Sequence, residues 1–226
     1  MIFCWTVFNT ISEKWLHDAV ISIAGVAHHN PGCSIVVYYD TEETMAFIKK
    51  HVGNFPSVSF IPDNGWCRSF CERVGASEYY GPAVFGIFRA MQENAGCVCL
   101  DTDVFCTGRV ELSFTGDIGA YYRQGHPSRC IAAFRKKETL PPVLPTIQKK
   151  YAYKDEILFN AIFRGRVSPL QVPSLHHFGQ TPYMEKTDRA DGKLFTYLLK
   201  KIKDGRDVSA ALVRKYYCGG KYDCVL

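Results

Sequence analysis

Asp101 and Asp103 are separated by one threonine and directly follow an apolar run at residues 97–100. If the strand predicted for this run continues through both aspartates, their side chains point to the same face, because alternate residues of a strand share a face. Two carboxylates held this close repel each other unless a cation lies between them. Carboxylate oxygens suit hard divalent ions such as Mg²⁺ and Mn²⁺, which often keep open positions for substrate phosphates. The pair therefore predicts a divalent metal site; the alternative is that both residues cap a turn or the next helix.

Apolar strand-like runs alternate with segments of helical spacing through three cycles before these aspartates. The predicted strands span residues 2–8, 34–40 and 57–62, and the predicted helices span residues 13–29, 41–52 and 82–94. This alternation predicts an α/β fold with a mostly parallel, doubly wound sheet and helices on both faces. Ligands bind beyond the carboxyl ends of the strands in such sheets. Asp101 and Asp103, at the end of the next strand, therefore lie where a ligand is expected.

The alternation breaks down after residue 106. Further strands are predicted at residues 117–122 and 129–135, a turn or linker at 140–145, a helix closed by glycine at 155–165, and two amphipathic helices at 193–205 and 208–217. The sequence contains no internal repeat and no low-complexity segment.

Composition and charge argue against several classes of protein. Of the 226 residues, 47% are hydrophobic, enough for a sizeable core, and the formal charge of +5 is spread without a dense basic tract. This distribution gives mild support for a small anionic ligand and argues against a nucleic-acid-binding surface. The ten cysteines lack the paired spacing of a zinc ribbon, so we expect reduced, buried thiols, with Cys218 and Cys224 able to pair under oxidising conditions.

Targeting signals are not recognisable in this sequence. No stretch reaches the roughly 20 apolar residues of a membrane-spanning helix. Residues 1–10 lack the basic start and unbroken apolar core of a signal peptide, and YDCVL at the end is not a prenylation box. The sequence therefore predicts a cytoplasmic protein without a membrane anchor.

Three motifs, in this order, resemble the GT-A fold glycosyltransferases, and most closely the glycogenin-like, retaining group. FRAM, with Arg89, resembles the arginine-bearing helix of that family, and LDTDVF resembles its Asp-X-Asp motif. KDEILFN followed by LHHFGQTPY resembles its acidic helix start and its His-Phe-X-Gly and Lys-Pro-aromatic segments. The resemblance covers residues 1–185. The short chain is also similar to glycosyltransferases encoded by large algal viruses such as chlorella viruses, which would place it in the host cytoplasm.

The resemblance implies a metal-dependent enzyme that moves a hexose-type sugar from a UDP-sugar, such as UDP-glucose, to an acceptor hydroxyl on a glycan or glycoprotein, with retention. Asp101, Asp103 and His177 would hold Mn²⁺ or Mg²⁺ at the donor diphosphate, with His176 as the alternative to His177. The metal would act mainly as a Lewis acid on the leaving diphosphate.

Further site residues follow from the same resemblance. Asp155 would contact the transferred sugar, with Glu156 as a second candidate, and Arg89 would reach the donor sugar or its phosphates; these are the predicted catalytic residues. The alternatives are a helix cap for Asp155 and a helix-surface charge for Arg89. The residues predicted to bind the nucleotide sugar are Thr6, Phe8, Asn9, Thr10, Asp40, Arg89, Thr102 and Lys186.

The chain departs from the family pattern in two places. Thr181 stands where the family has the lysine of Lys-Pro-aromatic, and Lys186 nearby is a candidate substitute. Ile157 stands where a second acid is common. Both departures leave the stereochemical outcome open.

One GT-A domain is predicted over residues 1–226, with a nucleotide-sugar-binding half at 1–106, an acceptor and catalytic half at 107–185 and C-terminal helices at 186–226. Two alternatives are a phosphatase of the haloacid dehalogenase type and a non-catalytic sugar-nucleotide-binding module. The phosphatase shares the LDTDV pattern, but that family places the motif after its first strand.

Overall fold

The structure, a computed structural model, describes residues 1–8, 13–53, 55, 57–75, 82–123, 125–145, 154–177, 192–206, 208 and 212. The strands are β1 (Ile2–Val7), β2 (Ser34–Tyr39), β3 (Val58–Pro62), β4 (Cys97–Leu100), β5 (Val104–Cys106), β6 (Ile118–Arg123), β7 (His126–Phe134), β8 (Val167–Pro169) and β9 (Leu175–His177). The helices are α1 (Glu13–His29), α2 (Glu42–Val52), α3 (Trp66–Val74), α4 (Pro82–Glu93), α5 (Lys154–Ile162) and α6 (Gly192–Lys203).

Seven of these strands form one sheet in the order β3-β2-β1-β4-β7-β6-β8. The strands β3, β2, β1 and β4 run parallel to one another, and β8 runs parallel to β6. Strand β7 is antiparallel to both of its neighbours, β4 and β6. The predicted mostly parallel, doubly wound α/β sheet is therefore confirmed, with one antiparallel strand inserted into it.

Helices cover both faces of this sheet, as predicted. One core layer includes Val20 of α1, Ile48 of α2 and Leu198 of α6. The other includes Phe70 of α3, together with apolar residues of α4 and α5 such as Phe88. A parallel strand that is covered on both faces has no solvent side. This explains why β1, β2 and β4 are continuous apolar runs in the sequence.

The strand order creates a switch point between β1 and β4. The chain moves outward from β1 to β2 and β3, then returns to the other side of β1 to form β4. In open α/β sheets, ligands bind in the crevice beyond the carboxyl ends of the strands at such a point. The ends of β1 and β4 are therefore the place where this fold is expected to bind a ligand.

Most predicted helices are present, and one helix was not predicted. Thr41 caps α2, as predicted, because its side chain accepts a hydrogen bond from the backbone N–H of Thr44 at 3.2 Å. Helix α3 was not predicted, and it ends at Gly75, which takes the left-handed conformation with φ of 66°. The helix predicted at 208–217 lies almost entirely outside the described residues. In the described part of the chain, no helix is both long enough and apolar enough to cross a membrane.

Candidate metal centre and ligand cavity

The two aspartates lie in a tight turn at the carboxyl end of β4. The strand ends at Leu100, and the backbone N–H of Val104 donates to the carbonyl oxygen of Asp101 at 3.2 Å, which closes a four-residue turn. The expectation that a continuing strand aligns the two side chains is therefore wrong. The turn itself brings the carboxylates of Asp101 and Asp103 together, and Thr102 is buried within it.

His177 reaches these carboxylates through a second, two-stranded sheet. Strand β5, which directly follows the turn, pairs antiparallel with β9, the strand that ends with His177. Nε2 of His177 lies 3.2 Å from Oδ1 of Asp103, whereas Nε2 of His176 lies 3.0 Å from Oγ1 of Thr107. Ligand atoms of Asp101, Asp103 and His177 all lie within 4.8 Å of one another. Of the two histidines, His177 is the one that the structure places with the aspartates.

Arg129, which the sequence analysis did not identify, completes the cluster. Its Nη1 forms an ion pair with Oδ1 of Asp101 across the β4–β7 pair. The register of β7 against β6 shifts between Ala120 and Tyr121, so that residues 129–131 of β7 bulge without partners on β6. Such bulges redirect side chains and are common next to functional sites. The bulge therefore accounts for a charged side chain emerging from an otherwise buried strand.

Each carboxylate has a basic side chain beside it. Burial raises the pKa of Asp101, while the Arg129 guanidinium acts to lower it. Burial lowers the pKa of His177, but the interactions with Asp103 and with the Cys130 thiol outweigh burial and raise that pKa well above its ordinary value. His177 therefore lies against Asp103 as Arg129 lies against Asp101.

The donor set fits a divalent metal ion. Two carboxylates and an imidazole nitrogen converge, and this combination is compatible with Mn²⁺ as well as Mg²⁺. Within the described residues, Nδ1 of His177 is buried without a hydrogen-bond partner. Metal-binding histidines ordinarily donate the second ring N–H to an acceptor, and the Cys130 thiol is a neighbour of the His177 side chain. Asp101, Asp103 and His177 are thus candidate ligands, with Cys130 behind the histidine.

A small cavity lies beside Asp101, at the switch point of the sheet. Its lining residues come from β1, α4, β4 and β7 and are Cys4, Thr6, Gly86, Ile87, Ala90, Cys99, Leu100, Asp101 and Arg129. The charged side chains among these lining residues are Asp101 and Arg129.

The residues predicted to bind the nucleotide lie in different parts of the structure. Thr6 lines the cavity, and Phe8 is buried at the end of β1. Oδ1 of Asp40 accepts hydrogen bonds from the Thr41 N–H at 2.8 Å and from the Thr44 hydroxyl at 2.7 Å, so Asp40 helps to begin α2. Three of the predicted residues lie outside the described part of the chain, namely Asn9, Thr10 and Lys186. Nucleotide contact stays a prediction for all of these residues.

Arg89 is buried, 9% exposed, and its guanidinium group joins α4 to the strands beside it. Its Nε donates to Oε1 of Glu93 at 2.8 Å, and its Nη1 donates to the carbonyl oxygens of Pro62 at 3.0 Å and Asp63 at 3.1 Å. The guanidinium carbon also lies 4.7 Å from the centre of the Tyr38 ring. The alternative of a helix-surface charge is therefore wrong, and contact between Arg89 and a donor stays a prediction.

Glu156 connects α5 to the strand that carries Arg129. Its Oε1 accepts a hydrogen bond from the Ser128 hydroxyl at 2.5 Å, and the same hydroxyl lies 3.3 Å from Sγ of Cys130. Asp155 is in the first turn of α5, but its side chain lies outside the described residues. Sequence reasoning missed Ser128, Arg129 and Cys130, for which the available signal is a polar, charged stretch next to the apolar run of β7.

No protein-family model matches the sequence, and no curated protein matches it significantly. Among solved structures, the chain is similar to LgtC, a galactosyltransferase crystallised in complex with donor and acceptor sugar analogs, with a TM-score of 0.59 and 11% identity over 93% of this chain and 98% of LgtC. It is also similar to the bifunctional glycosyltransferase WbbM, with a TM-score of 0.55 and 12% identity over 91% of this chain and 44% of WbbM. The glycosyltransferase GlyE of Streptococcus pneumoniae TIGR4 gives a TM-score of 0.50 and 12% identity over 90% of this chain and 50% of GlyE.

These likenesses concern the fold, since the identities are low. The chain spans nearly all of LgtC but only about half of the WbbM and GlyE chains. The predicted GT-A fold is therefore confirmed.

Proposed function

We propose that the chain is a metal-dependent glycosyltransferase that moves a hexose-type sugar from UDP-glucose or a similar UDP-sugar to an acceptor hydroxyl on a glycan or glycoprotein. The observation that carries the proposal is the convergence of Asp101, Asp103 and His177 within 4.8 Å, beside a cavity at the switch point of the sheet. The fold shared with the galactosyltransferase LgtC supports the same conclusion.

In this proposal, Asp101, Asp103 and His177 hold Mn²⁺ or Mg²⁺, which supplies Lewis-acid stabilisation of the charge on the leaving nucleoside diphosphate. The donor binds beside this cavity, whose wall includes Thr6. The three ligand side chains come from a turn and a paired strand, so they are held in place before the donor arrives. Preorganised charges of this kind stabilise developing charge without reorganisation during the reaction.

Glu156 is the proposed carboxylate on the sugar side of the site. The Ser128 hydroxyl fixes it at 2.5 Å, and Ser128 directly precedes Arg129 on β7. A fixed carboxylate can stabilise positive charge that develops on the transferred sugar, which supports transfer with retention. Asp155, at the start of the same helix, is the second candidate for this role.

His177→Ala is expected to weaken Mn²⁺ binding by at least about 10-fold, because it removes one of three protein ligands. His176→Ala is the matched control, because the His176 ring contacts the Thr107 hydroxyl, whereas the His177 ring contacts Asp103. Calorimetric titration with MnCl₂ measures both affinities. Equal losses in the two variants would exclude a specific ligand role for His177.

Titration with UDP and UDP-glucose, in the presence of Mn²⁺ or of EDTA, tests the nucleotide site. The expected result is that both bind only when the metal is present, and binding in neither condition would overturn the proposal. Incubation with UDP-glucose, Mn²⁺ and candidate acceptors then tests transfer by the release of UDP. The anomeric configuration of the product, read by NMR, tests retention.

The same experiments distinguish a glycosyltransferase from the two alternative functions. A non-catalytic module would bind UDP-glucose with metal but release no UDP. A phosphatase of the haloacid dehalogenase type would release phosphate from a phosphate monoester; its motif follows the first strand, whereas Asp101 follows β4.

A further inference from the structure

Strand β5 connects the parts of the candidate metal centre. It begins at Val104, directly after Asp103, and Val104 pairs with His177 of β9. The backbone N–H of Val104 also closes the turn that contains Asp101 and Asp103. The position of β5 therefore determines where all three candidate ligands lie. An element that fixes β5 also fixes the geometry of the metal centre.

Ser22 of helix α1 makes such a contact with β5. Its hydroxyl donates a hydrogen bond to the carbonyl oxygen of Val104 and accepts one from Nε1 of Trp5 at 3.0 Å. Ser22 is 0% exposed and Trp5 is 1% exposed, so water does not readily replace a lost partner. A buried carbonyl that loses its donor keeps the full cost of desolvation. The hydrogen bonds from Trp5 to Ser22 and from Ser22 to Val104 therefore connect β5 to β1 in the core.

The contact between α1 and β5 continues along the helix. Gly25 lies one turn after the serine, and a Cβ there would be 3.2 Å from Cε2 of Phe105 and 3.3 Å from the carbonyl oxygen of Cys106. Directly after the helix, Oδ1 of Asn30 accepts a hydrogen bond from the Val110 N–H at 2.8 Å. Nδ2 of the same asparagine lies 3.7 Å from Sγ of Cys106. Helix α1 therefore lies directly against the backbone of β5.

We propose that α1 positions the metal centre and that Ser22 is the positioning residue at its ligand turn. The inference rests on the proposed function, because the ion is the one that this centre is proposed to hold. Ser22 acts through the backbone of Val104 and not as a ligand. Groups behind the ligands of a metal orient those ligands and thereby raise metal affinity. Loss of the Ser22 hydroxyl therefore lets Asp103 and His177 shift relative to each other and weakens binding of the ion.

Calorimetric titration with MnCl₂ at pH 8, where protons compete little for the ligands, tests this role. Ser22→Ala is expected to bind Mn²⁺ about 3- to 10-fold more weakly than the wild type, the factor that corresponds to one net hydrogen bond. Gly25→Ala is an independent variant, because its added Cβ displaces β5. It should also weaken Mn²⁺ binding, although alanine favours the helix.

Two controls separate positioning from a general loss of stability. Ile48→Val shortens a fully buried side chain of α2, so it should lower the melting temperature and leave Mn²⁺ affinity unchanged. Ser168→Ala also removes a hydroxyl that donates to a backbone carbonyl, that of Thr115 at 2.6 Å, but Ser168 is on the edge strand β8. It should leave Mn²⁺ affinity unchanged as well. If Ile48→Val weakens Mn²⁺ binding as much as Ser22→Ala does, the inference is wrong.

A double-mutant cycle with His177→Ala tests whether Ser22 acts through the ligands. Without the histidine, Ser22 has one ligand fewer to position, so Ser22→Ala should cost less Mn²⁺ affinity in the His177→Ala background than in the wild type. The same fold-loss in both backgrounds would show that Ser22 does not act on the arrangement of His177 and Asp103, and the inference would fail.

The wild type distinguishes failure of the inference from failure of the proposed function. A wild type that binds Mn²⁺, together with a Ser22→Ala variant that binds it equally well, overturns only the inference. A wild type that does not bind Mn²⁺ overturns the proposed function and the inference with it. Thermal unfolding checks that each variant folds. If Ser22→Ala does not fold, Gly25→Ala decides, and Mn²⁺ affinity of wild-type strength in that variant overturns the inference.

Discussion

Asp103→Asn is expected to abolish measurable UDP binding in the presence of Mn²⁺, a loss of at least about 100-fold. Loss of an outer-shell partner of a metal ligand costs about 10- to 100-fold in metal affinity or activity, and loss of a direct ligand is expected to cost more. Asparagine keeps the volume of the side chain but removes the negative charge. It also removes the carboxylate that pairs with His177 at 3.2 Å. Both changes weaken the binding of the divalent ion, which in the proposed function connects the protein to the diphosphate.

Asp117→Asn is the matched control for this substitution. Asp117 is also a paired carboxylate, 2.6 Å from Nζ of Lys136, but the pair is exposed and lies outside the cluster of candidate ligands. Exposed pairs contribute little to stability, so UDP affinity and thermal stability should stay close to those of the wild type. UDP binding that survives in Asp103→Asn would mean that the nucleotide binds without this metal centre.

The parallel half of the fold was predictable because it depends on local patterns. The strands β1 to β4 are apolar runs, and α1, α2 and α4 have apolar residues at helical spacing, so these elements can be recognised from their own residues, whereas α3 was not predicted. One general rule, that ligands bind beyond the carboxyl ends of parallel strands, then places Asp101 and Asp103 at a binding site. The prediction was correct about the convergence of these carboxylates, but the cause is a turn and not strand alternation.

The other half of the site depends on contacts between distant segments. His177 was identified through the family resemblance. The pairing of β5 with β9, which places His177 beside the aspartates, has no local signal in the sequence. Arg129 reaches Asp101 because β7 inserts antiparallel beside β4 and because its register shifts against β6. Register depends on the patterns of whole strands and on turn geometry. From the sequence alone, Arg129 is only a charged residue at the edge of an apolar run.

Gly86 is a second feature whose meaning appears only in three dimensions. The helical pattern of α4 continues through it, and a glycine inside a helix costs about 1 kcal/mol relative to alanine. In the structure, α4 packs onto β1 at this point: a Cβ on Gly86 would lie 1.7 Å from Oγ1 and 2.4 Å from Cβ of Thr6. Rotation of the Thr6 side chain cannot relieve the second contact, because Cβ is fixed to the backbone. The glycine therefore allows close packing of helix and strand next to the cavity.

Gly86→Ala is expected to destabilise the protein by about 1–3 kcal/mol, the usual cost of overpacking. The melting temperature should fall by about 2–4 °C for each kcal/mol in a chain of this size. Helix propensity alone predicts that Gly86→Ala stabilises the protein. The direction of the change in melting temperature therefore decides whether packing or helix propensity dominates. UDP binding should weaken as well, because Thr6 and Gly86 both line the cavity.

Two further variants connect this loss to the contact with Thr6. At Gly108 the nearest atom to an added Cβ is Cβ of Ser174 at 3.7 Å, an ordinary contact, so Gly108→Ala should not show overpacking. Combining Gly86→Ala with Thr6→Gly removes the clash, and the double variant should be more stable than the sum of the single effects implies, since residues in contact are not additive. Strict additivity would mean that the cost of Gly86→Ala arises elsewhere, and the packing of α4 on Thr6 would then not explain the glycine.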